Sequence, residues 1–408
     1  MSFIPLSEAP SPRPAAAPAR RVALFDYGFR PFFLLSGLQA VLALAVWLAI
    51  LLYGLPVAGS WDTVQWHMHE MLFGFVAAAV GGFLLTAVPN WTGGRGYAGR
   101  PLVLLTSVWL LGRVAVNPIF PFPPLLAAAA DLAFFPALAA TLLPSLVRSG
   151  NRRNYPFPAM LGGLFLANLL CHLDGNLAEA GTWRAGILLA VDMVLLMVVM
   201  IGGRIVPSFT SSAMKRVGRP VEIAPRPWLE RAALATLLAM AVADQAAPDG
   251  ALAGITAAAA AAVTLARLAG WHGWRTLSQP ILAILHVGYA WVPVGLALKA
   301  AWLLAGAGFA AHWMHAFTLG AFATMILAVM SRASLGHTGR DVVASWPTVA
   351  AYVLLTAAAL ARVFLAGFGA AYHPALMIAG LGWIGAFGLF VLVYAPILVR
   401  PRADGRPG

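Results

Sequence analysis

Runs of about 20 apolar residues recur along the chain, and each has the length needed to cross the hydrocarbon of a bilayer as a helix. They fall at 32–53, 66–88, 102–118, 124–147, 157–173, 184–206, 228–246, 250–270, 279–304, 312–331, 346–367 and 373–398. A segment in lipid must satisfy its own backbone polar groups, which leaves the helix as the natural form for runs of this kind. The 408 residues are 61% hydrophobic and only 10% charged, too apolar for a soluble domain of that size. The expectation is an all-α membrane protein of about twelve transmembrane helices, with 29–400 as a single transmembrane domain. Residues 1–28, rich in Pro, Ala and Arg without a signal-type apolar core, read as a disordered cytoplasmic tail, and 401–408 as a second tail.

The net charge of +12 does not point to nucleic acid, because the basic residues form no patch interleaved with aromatics. They recur instead in alternate loops: Arg95 and Arg100, Arg148 to Arg153, Lys215 to Arg226, Arg267 and Arg275, Arg332 and Arg340. The other loops carry Asp62, Asp174, Glu179, Asp244 and Asp249. Basic loops stay inside, so both termini are expected in the cytoplasm. A single cysteine, Cys171, excludes an internal disulfide framework and a cysteine-ligated cluster. It reads as a small packing residue. No phosphate-binding loop, serine or cysteine nucleophile with a nearby histidine, or His-Glu-x-x-His motif is present, and no catalytic residue is assigned.

Against this apolar background the stretch Trp66-His67-Met68-His69-Glu70 stands out at the head of the second run, with His312-Trp313-Met314-His315 at the head of the tenth. Ionisable groups are costly at such positions and mark a site by default. One constant offset carries Met68, His69, Gly74, Thr92 and Gly93 onto Met314, His315, Gly320, Thr338 and Gly339. A third echo matches Val88-Pro89-Asn90-Trp91-Thr92 with Val206-Pro207-Ser208-Phe209-Thr210, while Arg204 and Thr210 are spaced as Arg332 and Thr338. The chain therefore reads as three divergent four-helix units.

With the orientation above, His67, His69, Glu70, Arg113, Asp131, Cys171, His172, Asp192, Lys299, His312, His315 and Arg362 all fall in the outer part of the membrane. One imidazole from each of two facing helices is how a bundle grips a haem, here b-type. His69 and His315 are the preferred pair because they align under the repeat; pairing through His67 and His312 remains open. Arg113 and Arg362 lie at the depth of the propionates. The same residues also suit zinc or copper, with His67, Glu70, His312 and His315 as donors and His172 beside Cys171 favouring copper. Asp192, Asp131 and Lys299 read either as a proton or ion relay or as buried pairs with Arg113 or Lys299. His286 reads as a hydrogen-bonding core residue; His272, His337 and His373 receive no chemistry. Arg204 and Arg332 are expected on helix-end carbonyls and anionic lipid headgroups.

Four motifs, in order, resemble the NnrS family: Phe29-Arg30-Pro31-Phe32-Phe33, Trp66 to Gly74, Gly202 to Thr210, and Ser331 to Arg340. The resemblance covers 29–400. It implies a multi-pass protein of the bacterial inner membrane, associated with haem and copper and linked to denitrification and nitrosative stress. The architecture is also similar to the catalytic subunit of haem-copper oxidases, whose second and tenth helices supply haem ligands. The copper centre of those enzymes needs histidines from helices six and seven. None occurs here in 184–206 or 228–246, so any copper must sit elsewhere. The expected function is a haem protein that binds nitric oxide or another small molecule, or passes electrons, near the outer face. The contrasting expectation is a transporter for a metal or small solute.

Overall fold

The computed structural model describes residues 22–150 and 152–406. The expected tails lie outside the described residues only at 1–21 and 407–408; within the rest of them Ala23 is buried and its amide donates to the Val399 carbonyl at 2.8 Å, and the Ala403 amide donates to the Thr338 carbonyl at 2.9 Å. Elsewhere the apolar runs become twelve long helices: α1 Phe29–Tyr53, α2 Thr63–Thr92, α3 Arg100–Ala115, α4 Pro124–Ser149, α5 Pro156–Leu173, α6 Trp183–Arg216, α7 Pro227–Ala246, α8 Ala251–Ala269, α9 Pro280–Ala305, α10 Gly308–His337, α11 Trp346–Leu365 and α12 Gly369–Val399. Among the described residues there is no strand, and ten of these helices are long and apolar enough to cross a membrane. α3 is shorter, at 16 residues, and α7 carries Glu230, Arg231 and Asp244 within its length.

Local chemistry sets the ends. Pro101, Pro124, Pro156, Pro227, Pro280 and Pro347 occupy first-turn positions, where a missing N–H costs nothing. α2 begins in a capping box: Asp62 Oδ1 accepts from the Val64 and Gln65 amides at 2.8 Å, while Gln65 Oε1 accepts from the Asp62 amide at 3.0 Å. Gly54, Gly93 and Gly306 close α1, α2 and α9 at φ 61°, 66° and 59°, a left-handed conformation that glycine adopts without a Cβ clash. α6 runs ten residues past the expected Val206 to Arg216. Apolarity measures only the part of a helix that lies in hydrocarbon, whereas the backbone ladder continues beyond it.

α2 is the most enclosed helix, with 83% of its apolar window buried; α6, α9 and α10 follow at 72% each. α1 lies between α2 and α12, α4 packs on α2 and α3, and α6 is flanked by α5, α7, α9 and α10. Two of the repeat-related helices share a distortion. α2 widens into a π-helical stretch at Glu70–Val76, and α10 does so at Ala316–Ala323, the equivalent position under the repeat. Such bulges concentrate at functional sites.

The opposite end repeats as well. Thr92, Thr210 and Thr338 each donate to the carbonyl four residues earlier, at 2.9, 2.8 and 2.6 Å. The Arg204 guanidinium lies 5.9 Å from the Trp91 ring, and that of Arg332 lies 4.1 Å from Phe209, the residue equivalent to Trp91. At the third corner the equivalent His337 meets Tyr27 and Phe29 at 6.1 and 5.5 Å. Each unit thus reaches onto the aromatic of the one before. Arg204 and Arg332 therefore serve as cation–π braces between units, with Arg204 also donating to Asn154 Oδ1 and the Arg153 carbonyl. The expected role at helix-end carbonyls holds only for that last contact.

Candidate functional site

Successive residues of an α-helix are rotated by about 100°, so His67 and His69 leave α2 on nearly opposite sides. They enter separate compartments.

His69 is fully buried in a hydrogen-bonded cluster built from five helices. Its Nδ1 lies 3.1 Å from Glu70 Oε1, and its Nε2 lies 2.9 Å from Asn168 Oδ1 and 3.1 Å from Asp131 Oδ2. The same Asp131 oxygen accepts from Asn168 Nδ2 at 2.7 Å and pairs with His172 Nε2 at 2.9 Å. From α3, Arg113 bridges Glu70 and Asp131, and from α1, Gln39 donates to Glu70 Oε2 at 2.6 Å. Trp61 lies over both imidazoles, at 4.4 Å from His69 and 4.9 Å from His172. Buried charges are tolerated when paired and hydrogen-bonded in this way.

His67 opens on the other side into a cavity of about 250 Å³ between α2 and α10. His315 and Arg362 line the same space, together with Trp47, Phe75, Phe322 and Trp383. Trp47 stacks on His67 with ring centroids 4.3 Å apart, and the buried His67 Nδ1 has no hydrogen-bond partner among the described residues. Arg362 donates to His312 Nδ1 at 3.2 Å, which holds that imidazole beside His315, with ring centroids 6.1 Å apart.

The predicted site residues therefore divide. His67, His315 and Arg362 come together at the cavity, with His312 tied to its rim. His69, Glu70, Arg113 and His172 do not: Arg113, expected beside a propionate, is bound to two carboxylates, and the pairing of His69 with His315 gives way to His67 with His315. The proposed donor set of His67, Glu70, His312 and His315 is likewise split, since Glu70 faces the buried cluster. The relay separates too, with Asp131 paired to Arg113 and Lys299 paired to Asp244. Cys171 is buried and free, packed beside Gly186 of α6, as a small packing residue would be. His286, expected as a hydrogen-bonding core residue, meets Thr210 Oγ1 at 2.9 Å. The amides Gln39 and Asn168 were missed; their signal was polarity inside apolar runs.

The fit to cofactors follows from these donors. Two imidazoles on separate helices, one with an unused buried nitrogen, face an aromatic-walled space carrying one arginine; this set suits a haem. In the other compartment His69, Asp131 and His172 offer ligand atoms within 4.8 Å of one another, a geometry open to a metal ion.

A family model described as NnrS protein matches residues 23–402. The chain belongs to the NnrS family. No curated protein matches it. NnrS membership fits a role in the nitric oxide response, and the structure separates the motifs of this NnrS chain by task. In the first, Arg30 is buried and donates to the carbonyls of Leu398 and Arg400 at 2.8 Å each, tying the start of α1 to the end of α12. In the third, a Cβ on Gly203 would overlap the guanidinium of Arg267, which donates to the Val199 carbonyl at 2.7 Å and Tyr289 Oη at 2.8 Å. In the fourth, Ser331 Oγ meets Tyr352 Oη at 2.7 Å. These three brace the bundle, while the NnrS histidine motif opens onto the cavity shared by His67 and His315.

Proposed function

We propose that the chain is a multi-pass protein of the bacterial inner membrane that holds b-type haem between His67 and His315 near the outer face, in the service of nitric oxide defence and denitrification. The observation that carries this reading is the pair of imidazoles from two repeat-related, π-distorted helices opening onto one cavity. Haem iron supplies reversible binding of nitric oxide and one-electron transfer when bound. Around it, Trp47 fixes the plane of the His67 ring, and Arg362 places a positive charge for a propionate. The aromatic wall keeps water out, and small apolar ligands reach the site through lipid.

The test is the absorption spectrum of the purified membrane protein, reduced and then exposed to nitric oxide. A Soret band that shifts with the gas, disappears in His67→Ala and His315→Ala, and persists in His69→Gln is expected. Colourless protein with saturable metal or solute uptake in vesicles would instead establish a transporter. A second metal reading, copper or zinc at His69, Asp131 and His172, is favoured by their convergence. It requires an ion to displace the hydrogen bonds to Asp131, and metal analysis of wild type against His172→Gln decides it.

A further inference from the structure

A third ionisable group lies between α6, α7 and α9. Lys299 of α9 forms a buried ion pair with Asp244 of α7, and its ammonium sits 4.9 Å from the Trp313 ring. Asp192 of α6 is 2% exposed, and its Oδ2 has no hydrogen-bond partner among the described residues; nor has Asp244 Oδ1. Asp244 and Lys299 are the charged groups that act on Asp192, and Arg184 of α6 acts on Asp244 in turn. Among the described residues no charged group of α5 or α10 acts on it.

Two carboxylates therefore share one ammonium in an apolar interior. With both ionised the group would carry a net negative charge, and such a charge without a partner is far costlier there than a neutral acid. Lys299 is committed to Asp244. We propose that Asp192 is a proton-binding site, holding one exchangeable proton at neutral pH against the Asp244–Lys299 pair. The ligand is the proton itself. Its route is marked by charge: Arg184 donates to Asp249 Oδ2 at 2.7 Å, and both side chains are more than half exposed. Asp244 lies in the last turn of α7, and Asp192 lies about 13 Å along α6 from Trp183. The proton therefore exchanges with the end of the bundle that bears the histidine motifs. The inference does not depend on what the cavity binds.

Infrared spectra of the purified protein at neutral pH, in H2O and D2O, test it. A protonated-carboxyl C=O band is expected that is shifted by D2O, abolished by Asp192→Asn, and displaced but retained in Asp192→Glu. Thermal denaturation gives an independent reading. Asp192→Asn exchanges one neutral group for another and leaves Tm near wild type; Asp244→Asn strands the ammonium and lowers Tm. The Asp244→Asn/Lys299→Met pair restores Tm and keeps the band. No band sensitive to Asp192, or an Asp192→Asn loss of Tm equal to that of Asp244→Asn, would make Asp192 an ionised partner of Lys299 and overturn the proposal.

Discussion

His67 and His69 are separated by a single residue of α2, yet one opens into a cavity shared with His315 while the other is sealed against Asp131 and Asn168. Their neighbourhoods set their chemistry. The first is apolar, aromatic and open to a ligand; in the second both His69 ring nitrogens are engaged by hydrogen bonds.

Among the described residues Arg362 is the one arginine lining that cavity. Arg362→Gln keeps a donor for His312 but removes the charge, and haem retention under dilution should weaken about 10-fold to 100-fold, the worth of one charge-assisted hydrogen bond. Dissociation followed at the Soret band measures it, and a retention equal to wild type counts against the propionate role.

Arg113 pairs with two buried carboxylates. Arg113→Leu leaves Glu70 and Asp131 without their guanidinium and should cost about 3–5 kcal/mol, read as a fall in Tm in detergent. Glu70→Gln in the same background should recover part of the loss.

Gly203 leaves the space through which Arg267 reaches Val199 and Tyr289. Gly203→Ala should destabilise by about 1–3 kcal/mol through overpacking, whereas Gly162→Ala, where a Cβ meets nothing within 4 Å, should not.

At the C-terminus Asp404 pairs with Arg402 through two contacts, at 2.9 and 2.5 Å. The hydrogen bonds from Arg402 hold its carboxyl below the usual carboxylate range. A depressed folded value means that the contact is fully present above the ordinary carboxylate pKa and is lost as pH falls through the folded value. Amide exchange at Ala403 and Gly405 should therefore stay slow to lower pH in wild type than in Asp404→Glu.

Arg30 is a buried link between the start of α1 and the end of α12. Arg30→Met should leave the Leu398 and Arg400 carbonyls short of a donor and speed proteolysis near Arg400–Arg402, with smaller effects at the cavity.

Much of this was legible in the residues. Apolar run length placed all twelve helices, because a segment in lipid has few alternatives to a helix. The repeat offset that linked Met68 to Met314 also links the two π-helical stretches, and Arg204 and Arg332 fall at equivalent corners for the same reason. The sequence by itself determined the helices and the concentration of ionisable groups toward one end. Tertiary structure alone decided which of them meet. A helix carrying histidines two residues apart offers one to each side, and only the rotation of α2 against α5 and α10 selects His67 for the cavity. Asn168, Asp131 and Arg113 then claim His69, because buried polar groups take whatever partners the packing brings within reach.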